Sequence, residues 1–429
     1  MLLTETRIVI IGAGFAGLKL ARQLNNKKGF QVTLIDRFNY HQFQPLFYQV
    51  ATAGLDASNI SFPLRKAFQN SRNVRIRLDV VTRIDAQAKE VHTPHGSLPY
   101  DELVIATGAD TNFFGNQQLA AHAYPMKSTV EALQLRHKLI HNFEAWLHAK
   151  DDLTRQRLLT VVVVGAGPTG VELSGAIAEM KRYVLPKDYP EIDFSQMRIL
   201  LLEGAGKTLG AMSPASSQKS QQYLTSMGVE VRTHTLVKDY DGQTITLQDG
   251  ATIESSLVIW AAGIKGNVPA GIEADLVVRG QRIRVNRYNQ VANMPHVYAL
   301  GDVAYMETPL YPQGHPQVAN VAINQALNLG RNWLKYGNTH SANWRPYEYK
   351  DLGSMATVGR NKAVVDIPKP RLHFGGLLAW LVWMFLHLML ILGVKNRLMV
   401  FINWMYNYLT YDQSLRLIFN EFDREKRQG

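Results

Sequence analysis

The sequence contains no cysteine in its 429 residues. This absence excludes disulfides, thiolate metal sites, iron–sulfur ligation and any enzyme that works through a redox-active thiol, and it fits an intracellular location. Acidic residues are also scarce, because 46 Lys and Arg stand against 35 Asp and Glu and give a net charge of +11. This balance favours an anionic partner. Since no nucleic-acid-binding motif accompanies it, we expect a lipid surface and no nucleic acid.

The length exceeds what one hydrophobic core supports, so we expect two or three domains. No charged and apolar leader precedes the first predicted strand, so no signal or transit peptide is expected. No set of residues has the spacing of metal ligands, and no metal is predicted.

A glycine-rich turn follows the first predicted strand, residues 7–11. In this turn Gly12 permits a tight bend, Gly14 lets the backbone approach a pyrophosphate, and Gly17 lets the next helix pack close to the strand. The helix then directs its first amides at the phosphates. Asp36 ends the next predicted strand, where an acid accepts hydrogen bonds from ribose hydroxyls. The sequence therefore predicts a dinucleotide site.

Two later predicted strands lead into residues that lie beside the nucleotide in dinucleotide-binding folds. The first covers residues 100–106 and leads into Thr107 and Gly108, and the second leads into Gly301 and Asp302. The carboxylate of Asp302 can bind a ribityl or pyrophosphate group, and a helix N-cap is its alternative role.

A second glycine-rich turn, Gly165, Gly167 and Gly170, follows a valine-rich strand at residues 160–164. Glu203 ends the next predicted strand and is placed for an adenosine ribose. No arginine follows it to neutralise a 2′-phosphate, which favours NADH over NADPH. Residues 257–263 repeat the arrangement of residues 100–108, so the layout of the first nucleotide domain recurs in the second.

These residues together resemble the flavoproteins with two dinucleotide-binding domains, and among them the type II NADH:quinone oxidoreductases. The most specific stretches are residues 39–54, 353–363 and 375–380. The resemblance implies an α/β fold with two Rossmann-like, three-layer dinucleotide-binding domains, the second inserted in the first, and a C-terminal amphipathic helical membrane anchor.

The expected domains are a first half of an FAD-binding domain, a helical linker, an NADH-binding domain, the second FAD half, a connecting segment and a membrane-associating tail. Their predicted boundaries are, in that order, 1–120, 121–157, 158–268, 269–330, 331–370 and 371–429.

The resemblance also assigns cofactor residues. Those expected at FAD are Gly12, Gly14, Gly17, Asp36, Arg37, Val81, Thr107, Gly108, Gly301 and Asp302. Those expected at NADH are Gly165, Gly167, Gly170, Glu203, Ala262 and Gly263. Glu172 is expected beside the nicotinamide and flavin rings as the catalytic residue, and its alternative is an ordinary solvated helix acid.

The function implied is an FAD-dependent, non-proton-pumping NADH:quinone oxidoreductase, in which a hydride passes from NADH to FAD and two electrons then reach menaquinone or ubiquinone in the membrane. The expected location is the cytoplasmic side of the cell inner membrane, and a homodimer is left open. The alternatives are an NADH-dependent flavoprotein with another acceptor and a non-enzymatic NADH- and FAD-binding membrane protein. The missing cysteines exclude disulfide, peroxide and sulfide:quinone reductases.

One segment departs from the family pattern. Where the family has two glutamines that face the quinone, this chain has Asn320 and Asn324. Asparagine keeps the amide but is one methylene shorter, so a hydrogen bond to a quinone carbonyl would lengthen or include a water. Gln317 can substitute in part. The alternative is that both asparagines brace their helix.

The C-terminal tail is the most apolar segment, with His387 as the one ionisable residue between 375 and 394. Its length makes it a candidate membrane span. Its scattered aromatic residues and the cations Lys395 and Arg397 favour two helices lying in the membrane interface, with the aromatic rings at headgroup level. These aromatic residues are Trp380, Trp383, Trp404, Tyr406, Tyr408 and Tyr411. A helix pair buried against the flavin domain or a second subunit is the remaining alternative.

Overall fold

The computed structural model describes residues 5–337 and 342–418. The chain forms two compact units, and each is made of three chain segments. The first unit comprises Met1–Gln42, Ser61–Asp110 and Ile264–Asp351, and the second comprises Phe43–Ile60, Thr111–Gly263 and Leu352–Gly429. The six-part division expected from the sequence stays a prediction, and its first segment, 1–120, contains residues of both units.

The helices are numbered along the chain. They are α1 (Phe15–Leu24), α2 (Phe47–Ala51), α3 (Leu64–Ala67), α4 (Gln117–His122), α5 (Thr129–His148), α6 (Asp152–Leu158), α7 (Pro168–Tyr183), α8 (Leu185–Asp188), α9 (Pro214–Ser226), α10 (Ala319–Tyr336), α11 (Leu377–Leu390) and α12 (Val394–Thr410).

The strands are numbered in the same way. They are β1 (Thr6–Ile11), β2 (Phe30–Asp36), β3 (Tyr40–Gln42), β4 (Ser61–Pro63), β5 (Val74–Leu78), β6 (Arg83–Asp85), β7 (Glu90–Thr93), β8 (Gly96–Pro99), β9 (Glu102–Ile105), β10 (Ala109–Thr111), β11 (Tyr124–Pro125), β12 (Thr160–Val164), β13 (Arg198–Leu202), β14 (Glu230–Arg232), β15 (Val237–Tyr240), β16 (Thr244–Leu247), β17 (Thr252–Glu254), β18 (Leu257–Trp260), β19 (Ile264–Gly266), β20 (Val277–Val278), β21 (Arg282–Val285), β22 (Val297–Ala299), β23 (Ala304–Met306), β24 (Ser354–Gly359), β25 (Lys362–Ile367) and β26 (Leu372–Gly375).

The first unit is built on a parallel sheet with the strand order β22-β9-β1-β2-β5. The central strand β1 is paired with β2 from Thr6 opposite Phe30 to Ile11 opposite Ile35. Strand β1 contributes a run of buried isoleucine and valine, because a parallel strand is covered on both faces. Helix α1 packs against α10. The antiparallel strands β6, β7 and β8 form a separate three-stranded sheet.

The second unit repeats this plan with the parallel order β11-β18-β12-β13-β14. Every residue of β12 is buried, as its four consecutive valines predict. Helix α7 follows with Pro168 in its first turn, where a missing amide hydrogen has no cost.

A second layer of this unit covers α7. The antiparallel sheet β24-β25-β26 packs against α7, and β25 also contacts α9 and α11. The approach of α7 to β24 is close at Gly175, where a Cβ would overlap the carbonyl oxygen of Val358. Within residues 5–337 and 342–418, no helix is both long enough and apolar enough to cross a membrane.

Candidate functional site

The first glycine turn has the geometry of a pyrophosphate cradle. Gly12 has a φ of +98°, and its amide donates a hydrogen bond to the carbonyl of Ile35 at 2.7 Å. A Cβ at Gly17 would overlap the carbonyl oxygen of Gly12, whereas a Cβ at Gly14 would meet nothing within 4 Å. Gly12 and Gly17 therefore let strand, turn and helix pack together, and Gly14 leaves space in front of the α1 N-terminus. This space fits the pyrophosphate of FAD.

Asp36 holds the same turn in place. Its Oδ2 accepts a hydrogen bond from the Ala13 amide at 2.6 Å, and its Oδ1 accepts one from the Phe38 amide at 2.7 Å. Burial raises the pKa of this carboxyl, although the backbone hydrogen bonds oppose the shift. Each carboxylate oxygen keeps a second lone pair, so Asp36 can brace the turn and still accept a ribose hydroxyl.

The remaining predicted FAD residues come together at one edge of the first unit's sheet. Thr107 and Gly108 follow β9, Asp36 ends β2, and Gly301 with Asp302 follows β22. These strands are neighbours around β1, and ligands of open parallel sheets bind at the carboxyl ends of the strands. Arg37 follows β2 and Val81 follows β5 at the same edge.

One residue at this edge was missed in the sequence. Gln325 of α10 is 1% exposed, and its Oε1 accepts the Gly301 amide at 2.7 Å. It is a polar residue on the mostly apolar buried face of the helix, and that position is the signal that could have identified it.

The three residues expected at the quinone bind other parts of the first unit. Gln317 donates through Nε2 to the carbonyl of Asp302 at 2.9 Å. Asn324 donates through Nδ2 to the backbone oxygen of Asn320 at 2.9 Å and to its Oδ1 at 2.6 Å. The two asparagines thus have the helix-bracing arrangement, and their contact with a quinone stays a prediction.

The second glycine turn has nearly the same geometry. Gly165 has a φ of +101°, and its amide donates to the carbonyl of Leu202 at 2.7 Å. A Cβ at Gly170 would overlap the carbonyl oxygen of Gly165, and a Cβ at Gly167 would meet nothing within 4 Å. The cradle is therefore open at the same position of both turns.

Glu203 has the place in the second unit that Asp36 has in the first. Its Oε2 accepts the Ala166 amide at 2.6 Å, and its Oε1 accepts the Ala205 amide at 2.8 Å. Ala262 and Gly263 follow the neighbouring strand β18 at the same edge of the sheet.

Glu172 lies in the second turn of α7 and is 8% exposed. The Thr357 amide donates a long hydrogen bond of 3.4 Å to Oε1 of Glu172. Burial raises the pKa of Glu172 to about 8, so the carboxyl is largely neutral at pH 7. This residue is not the solvated helix acid that the sequence left as an alternative.

Glu172 lines a cavity of about 120 Å³ within the second unit. Tyr48 and Gln49 of α2 form one wall, and the tail residues Trp383 and Trp404 form another. The Gln49 side chain connects the walls, because its Nε2 donates to the Tyr48 hydroxyl and its Oε1 accepts from Trp404 Nε1, each at 2.7 Å. The sequence singled out residues 39–54 without assigning Tyr48 or Gln49 a role.

The headgroup-level interpretation is wrong for two tail tryptophans. Trp383 is 1% exposed and Trp404 is 7% exposed. Trp383 stacks on His387 with ring centroids 3.9 Å apart and meets Tyr48 edge to face at 6.3 Å. Both indoles face the interior of the unit because α11 and α12 each turn one side toward α2 and the β24–β25 hairpin.

Each unit thus carries a parallel sheet, a glycine-rich turn and an acid that braces the turn, which defines a protein with two dinucleotide-binding folds. The sequence profile described as pyridine nucleotide-disulphide oxidoreductase matches residues 6–326, and that of the NDH2 C-terminal domain matches residues 352–411. The chain therefore belongs to the pyridine nucleotide-disulphide oxidoreductase family and, within it, to the type II NADH:quinone oxidoreductases.

Two relatives support this membership, and one solved structure shares the fold; each match covers nearly the whole chain. The type II NADH:quinone oxidoreductase NdhA of Mycobacterium tuberculosis is 37% identical over 93% of this chain and 86% of that protein. The type II NADH:quinone oxidoreductase Ndh of the same organism is 35% identical over 94% and 88%. The structure of NDH2 from Plasmodium falciparum in complex with NADH has a TM-score of 0.86 at 20% identity, covering 97% of this chain and all of that one.

These findings confirm the family, the enzyme class and the two-domain α/β fold expected from the sequence. The membrane anchor and the individual site residues stay predictions.

Proposed function

We propose that this chain oxidises NADH and reduces a membrane quinone with bound FAD, without pumping protons. The observation that carries the proposal is Glu172, a buried and largely neutral acid in an aromatic cavity that the C-terminal helices help to enclose. A quinone headgroup is flat and apolar with two carbonyl acceptors, which suits tryptophan and tyrosine walls and one protonated donor.

The two cradles support the cofactor assignment. The first turn fits FAD, and the second fits NADH, because Glu203 would repel a 2′-phosphate. The chemistry that FAD would supply when bound is the transfer of two electrons between NADH and the quinone. The protein's own residues hold the two nucleotides by backbone amides, and Glu172 holds a proton inside the cavity at neutral pH. Membership of the type II family supports the absence of pumping.

An anaerobic two-step mixing experiment tests this function. NADH is added to the purified holoenzyme, and menaquinone or ubiquinone analogues are added after the flavin has bleached. We expect rapid bleaching and then full recovery of the yellow absorbance. Bleaching without recovery by any quinone would favour an NADH-dependent flavoprotein with another acceptor. A protein without a bleachable flavin would favour the non-enzymatic alternative.

We further propose that α11 and α12 attach the enzyme to the cytoplasmic face of the cell inner membrane. One side of α11 packs inward through Ala379 and Trp383. The opposite side exposes large apolar residues to solvent, among them Leu378 (63% exposed), Leu381 (50%) and Phe385 (63%). Such a surface, in a tail that also carries Lys395 and Arg397, suits the interface of an anionic bilayer.

Changing Leu378, Leu381 and Phe385 together to glutamine is expected to weaken binding to phosphatidylglycerol vesicles by about a hundredfold or more. Each side chain loses at least ~1 kcal/mol of apolar burial in the interface, and 1.4 kcal/mol is a tenfold change. Vesicle co-sedimentation measures the partition. The matched control changes Leu147, Leu153 and Leu236, which are also exposed, to glutamine and should bind as the wild type does.

An unchanged partition of the α11 variant would contradict the anchor. Sedimentation equilibrium without lipid then separates the alternatives, because a dimer that dissociates in the variant would show that this surface contacts a second subunit.

A further inference from the structure

The cavity contains a second acid, two helical turns from Glu172. Glu172, Ala176, Glu179 and Tyr183 lie on one side of α7, and all four line the cavity. Seven residues of helix place the backbones of the two glutamates about 10 Å apart, and Ala176 leaves room between them. Glu172 is buried, whereas Glu179 is partly exposed.

We propose that Glu179 takes up protons from solvent and supplies them to Glu172, so that the two acids form an inward proton path along α7. The inference rests on the proposed quinone reduction. In that reaction NADH, one proton and the quinone give NAD⁺ and the quinol. The hydride carries two electrons and one proton equivalent, and the other proton comes from water. A buried donor must therefore regain a proton in every turnover.

The contacts of Glu179 fix its position at the cavity wall. Its Oε1 accepts a hydrogen bond from the Arg360 amide at 2.5 Å. The Arg360 side chain closes this end of the cavity, because its guanidinium donates to the carbonyls of Asn407 and Tyr408 at the end of α12 and lies over the Tyr411 ring at 3.5 Å. Glu179 is thus held where the tail meets α7.

Tyr48 connects the two acids electrostatically. Its pKa is raised well above the usual value by burial first and then by the charges of Glu172 and Glu179. Tyr48 therefore keeps its proton, and its hydroxyl can pass one on while it accepts from Gln49. With water in the cavity, this hydroxyl provides an intermediate between the carboxyls.

The charges around Glu179 make it the better loading position. Burial raises its pKa, while the Arg360 amide and the cations Arg360 and Lys362 oppose the rise. At Glu172 burial raises the pKa to about 8. A proton that reaches Glu172 from Glu179 is retained there at neutral pH. The titratable and charged groups facing Glu179 are Glu172, Tyr183, Tyr48, Arg360, Lys362, Tyr408 and Tyr411.

The test is Glu179→Gln, which keeps an oxygen to accept the Arg360 amide but carries no exchangeable acid. Quinone reoxidation of the NADH-reduced holoenzyme is followed in stopped flow from pH 6 to pH 9. We expect reoxidation to slow at least tenfold at pH 8 and above, to approach the wild-type rate at pH 6, and to recover on addition of formate as a small proton carrier. Flavin reduction by NADH should stay within twofold of wild type.

A second measurement needs no turnover. Infrared spectroscopy follows hydrogen–deuterium exchange of the buried carboxyl, identified by its loss in Glu172→Gln. The exchange should slow at least tenfold in Glu179→Gln. The matched control is Glu191→Gln, an exposed acid in the loop after α8, which should change neither rate.

Unchanged reoxidation and exchange in Glu179→Gln would overturn the path. The path would also be overturned if the variant slowed equally at every pH, was not rescued by formate and was slower in the NADH step as well. That result would show a structural role for Glu179. If no quinone reoxidises the wild-type enzyme itself, the proposed function fails. A failure of the proton path alone would leave the wild type reactive with quinone and would be seen only in the comparison with the variant.

Discussion

Glu172→Gln is expected to make the protein more stable than the wild type at pH 9 and equally stable at pH 4. The folded pKa of Glu172 is about 8, and the ordinary value is 4.5. Between these values the folded state binds more protons than the unfolded state, so the stability of the wild type falls as the pH rises. Once the carboxyl is ionised in both the folded and the unfolded state, a pKa shift of this size lowers the free energy of unfolding by on the order of 5 kcal/mol. Glutamine has no such dependence.

Urea unfolding of both proteins at several pH values measures this difference. The same variant should slow quinone reoxidation of the reduced flavin at least a hundredfold, the lower range for loss of a general acid, and leave bleaching by NADH nearly unchanged. Glu191→Gln serves again as the exposed control. Parallel stability curves for the variant and the wild type would show that Glu172 ionises normally and would remove the basis of the proposed function.

The nucleotide cradles were predictable from the sequence because all their determinants are local. Gly12, Gly14 and Gly17 lie within six residues, and the strand that places Asp36 pairs directly with the strand before them. Steric rules for a strand, a tight turn and a helix N-terminus therefore determine the cradle. The second unit repeats these rules with Gly165 and Glu203, which is why both turns have the same hydrogen bonds.

The aromatic cavity was not predictable because its walls come from distant parts of the chain. Tyr48 and Trp383 touch only after α2 and α11 have packed in the same unit, and no local pattern records that packing. Composition alone allows two readings of a tryptophan in an apolar helix, either the membrane interface or a protein core. The exposed leucines of α11 fit the first reading, whereas Trp383 and Trp404 follow the second.

The environment of Glu172 also depends on a contact that the sequence does not reveal. The Thr357 amide reaches Glu172 because α7 approaches β24 at Gly175, one turn further along the helix. A glycine in the middle of a helix weakens it relative to alanine. Its presence here is explained by the carbonyl oxygen of Val358, which occupies the space of a Cβ.

Gly175→Ala is accordingly expected to destabilise the protein by about 3 kcal/mol or more. The overlapping atom belongs to the backbone of a paired strand, so it cannot move as a flexible side chain would, and the hairpin must shift away from α7. The shift would admit water to Glu172 and lower its pKa toward the ordinary value. Urea unfolding and the pH dependence of quinone reoxidation measure these two consequences separately.

Gly210→Ala is the matched control, since a Cβ at Gly210 would meet nothing within 4 Å and its φ is not positive. That variant should be neutral or slightly more stable, because alanine restricts the unfolded chain. If Gly175→Ala were as stable as Gly210→Ala, the hairpin would have to yield without cost. The Thr357 amide could then not hold Glu172 in a fixed position, and the tryptophan walls alone would have to position the carboxyl.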